Sequence, residues 1–197
     1  MRLLRYLYIF MLGFSSFFIS QILLRIPLLS YIGKNVDFSM MSLKYPLIIG
    51  IIVAFSAGVF EEGFRFIFRR FLIKNSYKII EPVIFGLGHS IMEIIYIFAP
   101  VVIVSGIGII LGAAIYERAL SIIFHIELTI IIWNGFAVNK RYKYLLAAIC
   151  IHGFTDSLIP VFTGLNLSFK VFEIIYLIIV LITGFITIKF NKLEMKL

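Results

Sequence analysis

The sequence predicts an all-α polytopic membrane protein, a bundle of six to seven transmembrane helices with a polar cavity in its core. Of its 197 residues, 62% are hydrophobic and only 14% are charged, whereas about a quarter are charged in a typical soluble domain. The mean hydropathy is +1.10, and several apolar runs reach the roughly 20 residues that a transmembrane helix needs. Ionisable residues recur inside these runs, where they must face protein or water rather than lipid. We therefore expect a multi-pass protein of the cell membrane.

The formal charge of +8 does not indicate a nucleic-acid partner. Basic residues cluster between the apolar runs, where they anchor helix ends at the membrane surface. The two main clusters are Arg69, Arg70, Lys74 and Lys78, and Lys140, Arg141 and Lys143. The single cysteine, Cys150, excludes an intrachain disulfide and is expected to be a small buried packing residue. The expected surroundings are the lipid bilayer and a substrate, with no nucleic acid.

The first span is predicted within residues 1–28 of a single membrane domain, residues 1–197, with its helix from about Leu3 to Leu24. No small-residue cleavage site follows this run, which favours a retained span over a removed signal peptide. A polar stretch from Ser30 to Lys44 is predicted to be the longest loop.

The remaining apolar runs predict a catalytic-like core over residues 46–158 and a last span over residues 170–190. Pro46 opens the second span, because proline is tolerated at the first positions of a helix. That span ends at Arg69 and Arg70. The later helices are predicted at about Ile79–Phe98, Ala119–Val138, Leu145–Phe162 and Val171–Phe190.

Pro100 is predicted to break the chain, and the uncharged, glycine-rich stretch Val101–Ile115 is short for a span. If this stretch does not cross the membrane, the protein has six spans with both ends inside, and all the basic loops are cytoplasmic. If it crosses, there are seven spans and one basic loop lies outside. The sequence leaves both arrangements open.

Eight ionisable residues lie within or at the edges of the apolar segments, where each costs at least about 2.5 kcal/mol on insertion scales. Six of them form pairs four residues apart, which places both members on one helix face. His125, on a fourth helix, shares a face with Arg118. We expect these polar faces to converge on one water-accessible cavity. The pairs are Glu61/Arg65, His89/Glu93 and His152/Asp156, and Glu62 adjoins the first.

Such a cavity suits three kinds of function, and the spacing alone does not choose between them. A glutamate acting as a general base, with histidines that ligate a metal or stabilise an oxyanion, would hydrolyse a substrate with activated water. In that case Arg65 would keep one carboxylate charged, and Glu93 and Asp156 would fix the histidine tautomers. The same residue types also join helices by interhelical hydrogen bonds or carry protons in transporters.

Four motifs, in order along the chain, resemble the YhfC family of intramembrane metalloproteases. This family belongs to the wider group of CAAX-processing and bacteriocin-processing enzymes (the CPBP or Abi group). The resemblance covers about Pro46 to Leu158. The first motif is one residue shorter than the wider group's Glu-Glu-x-x-x-Arg, and Ser90-Ile91-Met92 replaces the glycines expected after the histidine. The motifs are Glu61-Glu62-Gly63-Phe64-Arg65, Phe85-Gly-Leu-Gly-His89-Ser-Ile-Met-Glu93, Glu117-Arg118 with His125, and His152-Gly-Phe-Thr-Asp156.

The resemblance implies an endopeptidase that cleaves a peptide or a lipid-associated protein substrate, with Glu61 as the base that activates water. Asp156 matches a position where the wider group often has asparagine. A divalent metal such as zinc is implied by the family and not by a His-Glu-x-x-His motif, which this chain lacks. The implied catalytic set is Glu61, Glu62, Arg65, His89, Glu93, His152 and Asp156, and the implied metal ligands are His89, His125 and His152.

Two other functions remain open at this point. A non-catalytic membrane scaffold or bacteriocin-immunity-type protein of the same fold would bind a partner without turnover. A proton-coupled transporter would use similar buried carboxylates, although transporters are often built from internal repeats and the sequence contains none.

Overall fold

A computed structural model describes residues 2–74, 78–105 and 113–193. Within these ranges the chain forms seven helices and no sheet, and six of the helices are long and apolar enough to cross a membrane. The predicted all-α polytopic class is therefore confirmed. The helices are α1 (Arg2–Ile32), α2 (Val36–Lys44), α3 (Pro46–Phe71), α4 (Ile80–Ser105), α5 (Ala113–Ala137), α6 (Arg141–Gly164) and α7 (Phe169–Lys189).

The predicted loop from Ser30 to Lys44 is wrong in its extent, because helices occupy most of it. α1 continues to Ile32, and α2 begins directly after Asn35. The Asn35 side chain accepts a hydrogen bond of 3.0 Å from the Phe38 backbone N–H and so caps the first turn of α2. α2 ends before Pro46, since a residue that precedes proline is disfavoured in the helical region.

The predicted break at Pro100 is also wrong, since α4 continues through this proline to Ser105. Proline removes one backbone hydrogen bond from a helix, but membrane helices tolerate this loss through local adjustments. The stretch whose crossing was left open belongs to α4 at residues 101–105 and to α5 from residue 113. Its glycine-rich centre, residues 106–112, lies outside the described residues.

Cys150 is exposed on α6, and the prediction of a buried packing residue is wrong. An apolar stretch in a membrane helix has an outer face that meets lipid tails, so an apolar neighbourhood in the sequence does not imply burial in protein.

Helices α1 and α4 pack with their backbones in contact. A Cβ atom on Gly13 would lie 2.0 Å from the Phe85 carbonyl oxygen, and one on Gly88 would lie 2.1 Å from the Phe10 carbonyl oxygen. Only glycine fits at these two positions, as is common where membrane helices approach closely. The close approach places His89, the residue after Gly88, against α1.

Helices α3 and α6 also approach closely, where Gly58 faces Gly153. A Cβ atom on Gly58 would lie 2.8 Å from the Gly153 backbone nitrogen. This crossing lies about one turn from Glu62 on α3 and beside His152 on α6. It therefore brings two of the predicted site residues together.

Basic residues concentrate at one end of the bundle. α1 and α4 run parallel, since Arg5 pairs with Glu81 near their starts and Phe17 contacts Tyr96 further along. Consecutive spans alternate in direction, so Arg2 and Leu193 lie on the same side. Among the described residues, eleven lysines and arginines lie at that end, whereas Lys34, Lys44 and Lys170 lie at the other and Arg25 and Arg118 line the cavity. The eleven are Arg2, Arg5, Arg69, Arg70, Lys74, Lys78, Lys140, Arg141, Lys143, Lys189 and Lys192.

Candidate functional site

A buried ion pair on α3 forms one wall of the site. Glu62 and Arg65 are both fully buried, and Arg65 Nη1 donates to Glu62 Oε1 at 2.5 Å and Oε2 at 2.6 Å. The predicted pairing of Arg65 with Glu61 is wrong. The two glutamates are consecutive on the helix, so their side chains contact different neighbouring helices. The Arg65 side chain lies on the same side as that of Glu62, toward α5 and α6.

Glu61 makes its hydrogen bonds with residues of α1 and α4. Its Oε1 accepts a hydrogen bond of 2.8 Å from Gln21 Nε2 on α1. Its Oε2 lies 2.9 Å from His89 Nε2 on α4. The carboxylate partner of His89 is therefore Glu61 on the neighbouring helix, and the predicted pairing of His89 with Glu93 is wrong.

Glu93 instead holds His125 on α5. Glu93 Oε2 lies 2.9 Å from His125 Nε2 and 3.2 Å from the Ser121 hydroxyl, which donates to it. Arg118 donates to Glu93 Oε1 at 2.7 Å and also contacts Glu117. These contacts place the proton of neutral His125 on Nε2 and leave its Nδ1 with a lone pair.

His152 on α6 lies between two carboxylates. Its Nδ1 is 2.7 Å from Glu62 Oε1, and its Nε2 is 3.5 Å from Asp156 Oδ2. The sequence predicts that Asp156 fixes the tautomer of this histidine, whereas in the structure Glu62 makes the shorter contact. A proton on Nδ1 that is donated to Glu62 leaves the lone pair of Nε2 facing the interior.

Three ligand atoms converge where the four helices meet. Glu61 Oε2 lies 3.8 Å from His152 Nε2 and 4.0 Å from His125 Nδ1. They border a cavity of about 350 Å³ that is lined by both polar and apolar side chains, as the fold class predicted. Among its lining residues are Arg25, Val53, Glu61, Glu93, Ile97, Glu117, Arg118, Phe124, His125, His152, Asp156, Ile159, Phe172 and Tyr176.

Glu61, His125 and His152 fit a divalent metal ion, since their ligand atoms all lie within 4.8 Å of one another. Ligands around tetrahedral zinc at about 2.0–2.2 Å lie roughly 3.3–3.6 Å apart, so the three side chains would have to move closer together around an ion. Arg65 Nη2 lies 3.3 Å from the same His125 nitrogen and would have to move slightly. This group contains Glu61 where the resemblance implied His89.

The hydrogen-bond partners of the two histidines and the net charge of the site also suit a bound divalent metal ion. Each of the two histidines uses its other nitrogen for a carboxylate, which is the usual arrangement behind a metal ligand. With neutral histidines, five carboxylates and three guanidinium groups leave a formal charge of −2, which a divalent cation would neutralise. The charged groups are Glu61, Glu62, Glu93, Glu117, Asp156, Arg25, Arg65 and Arg118.

Helix α1 contributes two residues to this site that the sequence motifs do not predict. Gln21 binds Glu61, and Arg25 binds Gln21. Gln21 and Arg25 are four residues apart in an apolar run, which is the same spacing as in the three predicted pairs.

A bundle of membrane-spanning helices that encloses carboxylates and histidines defines a polytopic membrane protein with a buried polar site. Residues 5–112 match the family model described as YhfC intramembrane metalloprotease. The match covers more than half of the chain, so the chain belongs to this family, as the motifs predicted. The matched region includes Gln21, Glu61 and His89 but ends before His125 and His152.

One curated relative is the "Uncharacterized membrane protein YhfC" of Bacillus subtilis (strain 168), which is 31% identical over 89 residues. The aligned region is 45% of this chain and 34% of that protein, so it spans about a third of the relative's length. No solved structure gave a significant match.

Proposed function

We propose that this protein is an intramembrane peptidase that hydrolyses a peptide bond of a membrane-associated substrate with water activated inside the cavity. The observation that carries the proposal is the convergence of one carboxylate oxygen and two histidine nitrogens beside a cavity enclosed by membrane helices. The family's description as a metalloprotease supports it.

In this proposal Glu61, His125 and His152 hold a divalent metal, most simply zinc. When bound, such an ion polarises the substrate carbonyl and makes hydroxide available near neutral pH. The surrounding residues fix the three ligands. Glu62 and Glu93 hold the two histidines in their tautomers, as partner carboxylates do in other metal sites.

Asp156 is the residue that we assign as general base, in contrast to the sequence-based expectation for Glu61. Both oxygens of Glu61 already accept a hydrogen bond, which suits an oriented ligand better than a proton acceptor. Asp156 lines the same cavity, its side chain is 31% exposed, and it accepts no hydrogen bond from a described residue. It is therefore free to take the proton from the attacking water and to pass it to the leaving amine.

The Asp156→Asn variant tests this assignment, because it keeps the shape of the side chain and removes the base. We expect kcat to fall by about 100- to 10,000-fold, the usual contribution of a general acid–base group, with little change in Zn²⁺ affinity. The assay is cleavage of quenched-fluorescence single-span peptides by the purified protein in liposomes. Near-normal turnover by Asp156→Asn would contradict this assignment and favour Glu61 as the general base. Failure of the wild-type protein to cleave any peptide of the panel would favour the non-catalytic scaffold.

The substrate is proposed to reach the site from the side of the membrane opposite the basic end. The cavity is lined by the end of α1, the first turns of α3 and α7, and the last turns of α6, including Arg25, Gly50, Pro160 and Phe172. All of these lie toward the end of the bundle that is poor in lysine and arginine. The positive-inside rule assigns the basic end to the cytoplasm, so the cavity lies toward the outer half of the membrane.

Single cysteines in a Cys150→Ala background test this orientation. A cysteine introduced by Leu167→Cys, between α6 and α7, should react with a membrane-impermeant maleimide in intact cells. One introduced by Lys140→Cys, between α5 and α6, should react only after the cells are permeabilised. The reverse labelling pattern would place the cavity toward the cytoplasm and contradict this route of access.

A further inference from the structure

The second half of α1 contains a π-helical segment, Phe18–Arg25. π-Helical turns are rare and often occur at functional sites. Upstream of the segment, Gly13 and Phe17 pack against α4. Within it, two consecutive polar residues, Ser20 and Gln21, are both buried. Gln21 in this segment faces α3, where it contacts Glu61.

Gln21 links α1 directly to the proposed site. Its Oε1 accepts a hydrogen bond of 2.9 Å from Arg25 Nη1, and its Nε2 donates one of 2.8 Å to Glu61 Oε1. The orientation of the amide follows from chemistry, because an arginine can only donate and an ionised carboxylate can only accept. Gln21 therefore presents an N–H to Glu61.

Arg25 holds Gln21 in place from the other side. Its Nε donates to the Ser56 hydroxyl at 2.9 Å, and its Nη2 donates to the Val53 carbonyl at 2.6 Å. Both partners lie on α3, one to two turns before Glu61. Each nitrogen of the guanidinium thus has a partner, and the Gln21 amide is fixed relative to the helix that carries Glu61.

We propose that Gln21 is a positioning residue, which holds Glu61 Oε1 from behind so that Glu61 Oε2 faces the nitrogens of His125 and His152. This inference rests on the proposed function for its effect on turnover. Gln21 lies behind Glu61 and is absent from the cavity lining, so it acts through Glu61 and does not touch the substrate.

The test compares Gln21→Met, which keeps the length of the side chain and removes the amide, with Ser20→Ala in the same π-helical segment. Within the part of the chain that the structure describes, the Ser20 hydroxyl donates only to the Phe17 carbonyl of its own helix. For Gln21→Met we expect Zn²⁺ affinity and kcat each to fall by about 10- to 100-fold, as for partner residues of metal ligands, while KM is little changed. Ser20→Ala should match the wild-type protein in all three quantities.

Gln21→Glu provides a second variant that keeps the acceptor for Arg25 and removes the amide N–H toward Glu61. It should fold and lose Zn²⁺ affinity and kcat as Gln21→Met does. Normal values for Gln21→Met would overturn the positioning role, since methionine has no group that can donate to Glu61. If the wild-type protein binds Zn²⁺ but cleaves no peptide, and Gln21→Met binds Zn²⁺ more weakly, the result would support the positioning role and reject only the peptidase. A wild-type protein that neither binds Zn²⁺ nor cleaves peptides would reject both.

Discussion

Replacing Arg65 with methionine is expected to lower the free energy of unfolding by about 3–5 kcal/mol, the usual result of removing one partner from a buried ion pair. Arg65 and Glu62 are both fully buried, and both oxygens of Glu62 accept from the guanidinium. Without Arg65, the one polar contact that Glu62 would keep with a described residue is that with His152. A buried carboxylate with a single neutral partner is poorly stabilised.

The measurement is thermal unfolding of the detergent-solubilised protein, with Arg70→Met as the matched control on the same helix. Arg70 is exposed and donates to the Tyr142 hydroxyl, so its loss should cost less than about 1 kcal/mol. Adding Glu62→Gln to Arg65→Met should recover part of the stability, because the uncompensated charge is then gone. Equal stability of Arg65→Met and Arg70→Met would contradict the importance of the buried pair.

The second large effect is expected for His152→Asn, which should abolish measurable turnover. Asparagine places its amide nitrogen close to the position of His152 Nδ1 and can still donate to Glu62. It has no counterpart of Nε2, the atom that lies 3.8 Å from Glu61 Oε2. Losing a ligand atom should lower turnover by more than the roughly 10- to 100-fold loss that is typical when a hydrogen-bond partner of a metal ligand is removed.

Peptide cleavage in liposomes measures this effect, and Ser157→Ala is the matched control on α6. The Ser157 hydroxyl donates to the Gly153 carbonyl of its own helix at 2.6 Å, as serines in membrane helices often do, and makes only a long contact of 3.5 Å with the Ile51 carbonyl on α3. Its loss should leave turnover nearly unchanged. Turnover by His152→Asn close to that of Ser157→Ala would remove His152 from the proposed site.

Much of the fold was predictable, because span length and hydropathy are properties of local sequence. The errors occurred where polarity and proline were interpreted without packing. The stretch from Val36 to Lys44 is polar enough for a loop, yet the Asn35 cap starts a helix there. Pro100 weakens a helix in water, whereas in a membrane span the backbone has no better alternative than to remain helical.

The site residues were predictable as a group, but their partners were not. Spacing of four residues places two side chains on one helix face, and it does not say which neighbouring helix that face meets. In the structure Glu61, Glu93 and His152 each have a short contact on another helix. Spacing alone gives no information about such contacts between helices.

Gln21 and Arg25 show a second limit of the sequence analysis. Both lie in the first apolar run, where neutral polar and terminal basic residues are ordinary features of a span. In the structure they belong to the π-helical segment that follows the glycine contact between α1 and α4. Neither feature has a reliable sequence signature.

The most direct test of the proposed metal-assisted peptidase is the metal content of the purified protein, measured by elemental mass spectrometry together with peptide cleavage. After treatment with a chelator and addition of Zn²⁺, the wild-type and Asp156→Asn proteins should each retain about one ion per chain, as expected for a site with three protein ligands. His152→Asn should retain far less. Cleavage by the wild-type protein should stop on chelation and return with Zn²⁺. Full cleavage by wild-type protein that contains no divalent metal would contradict the proposal.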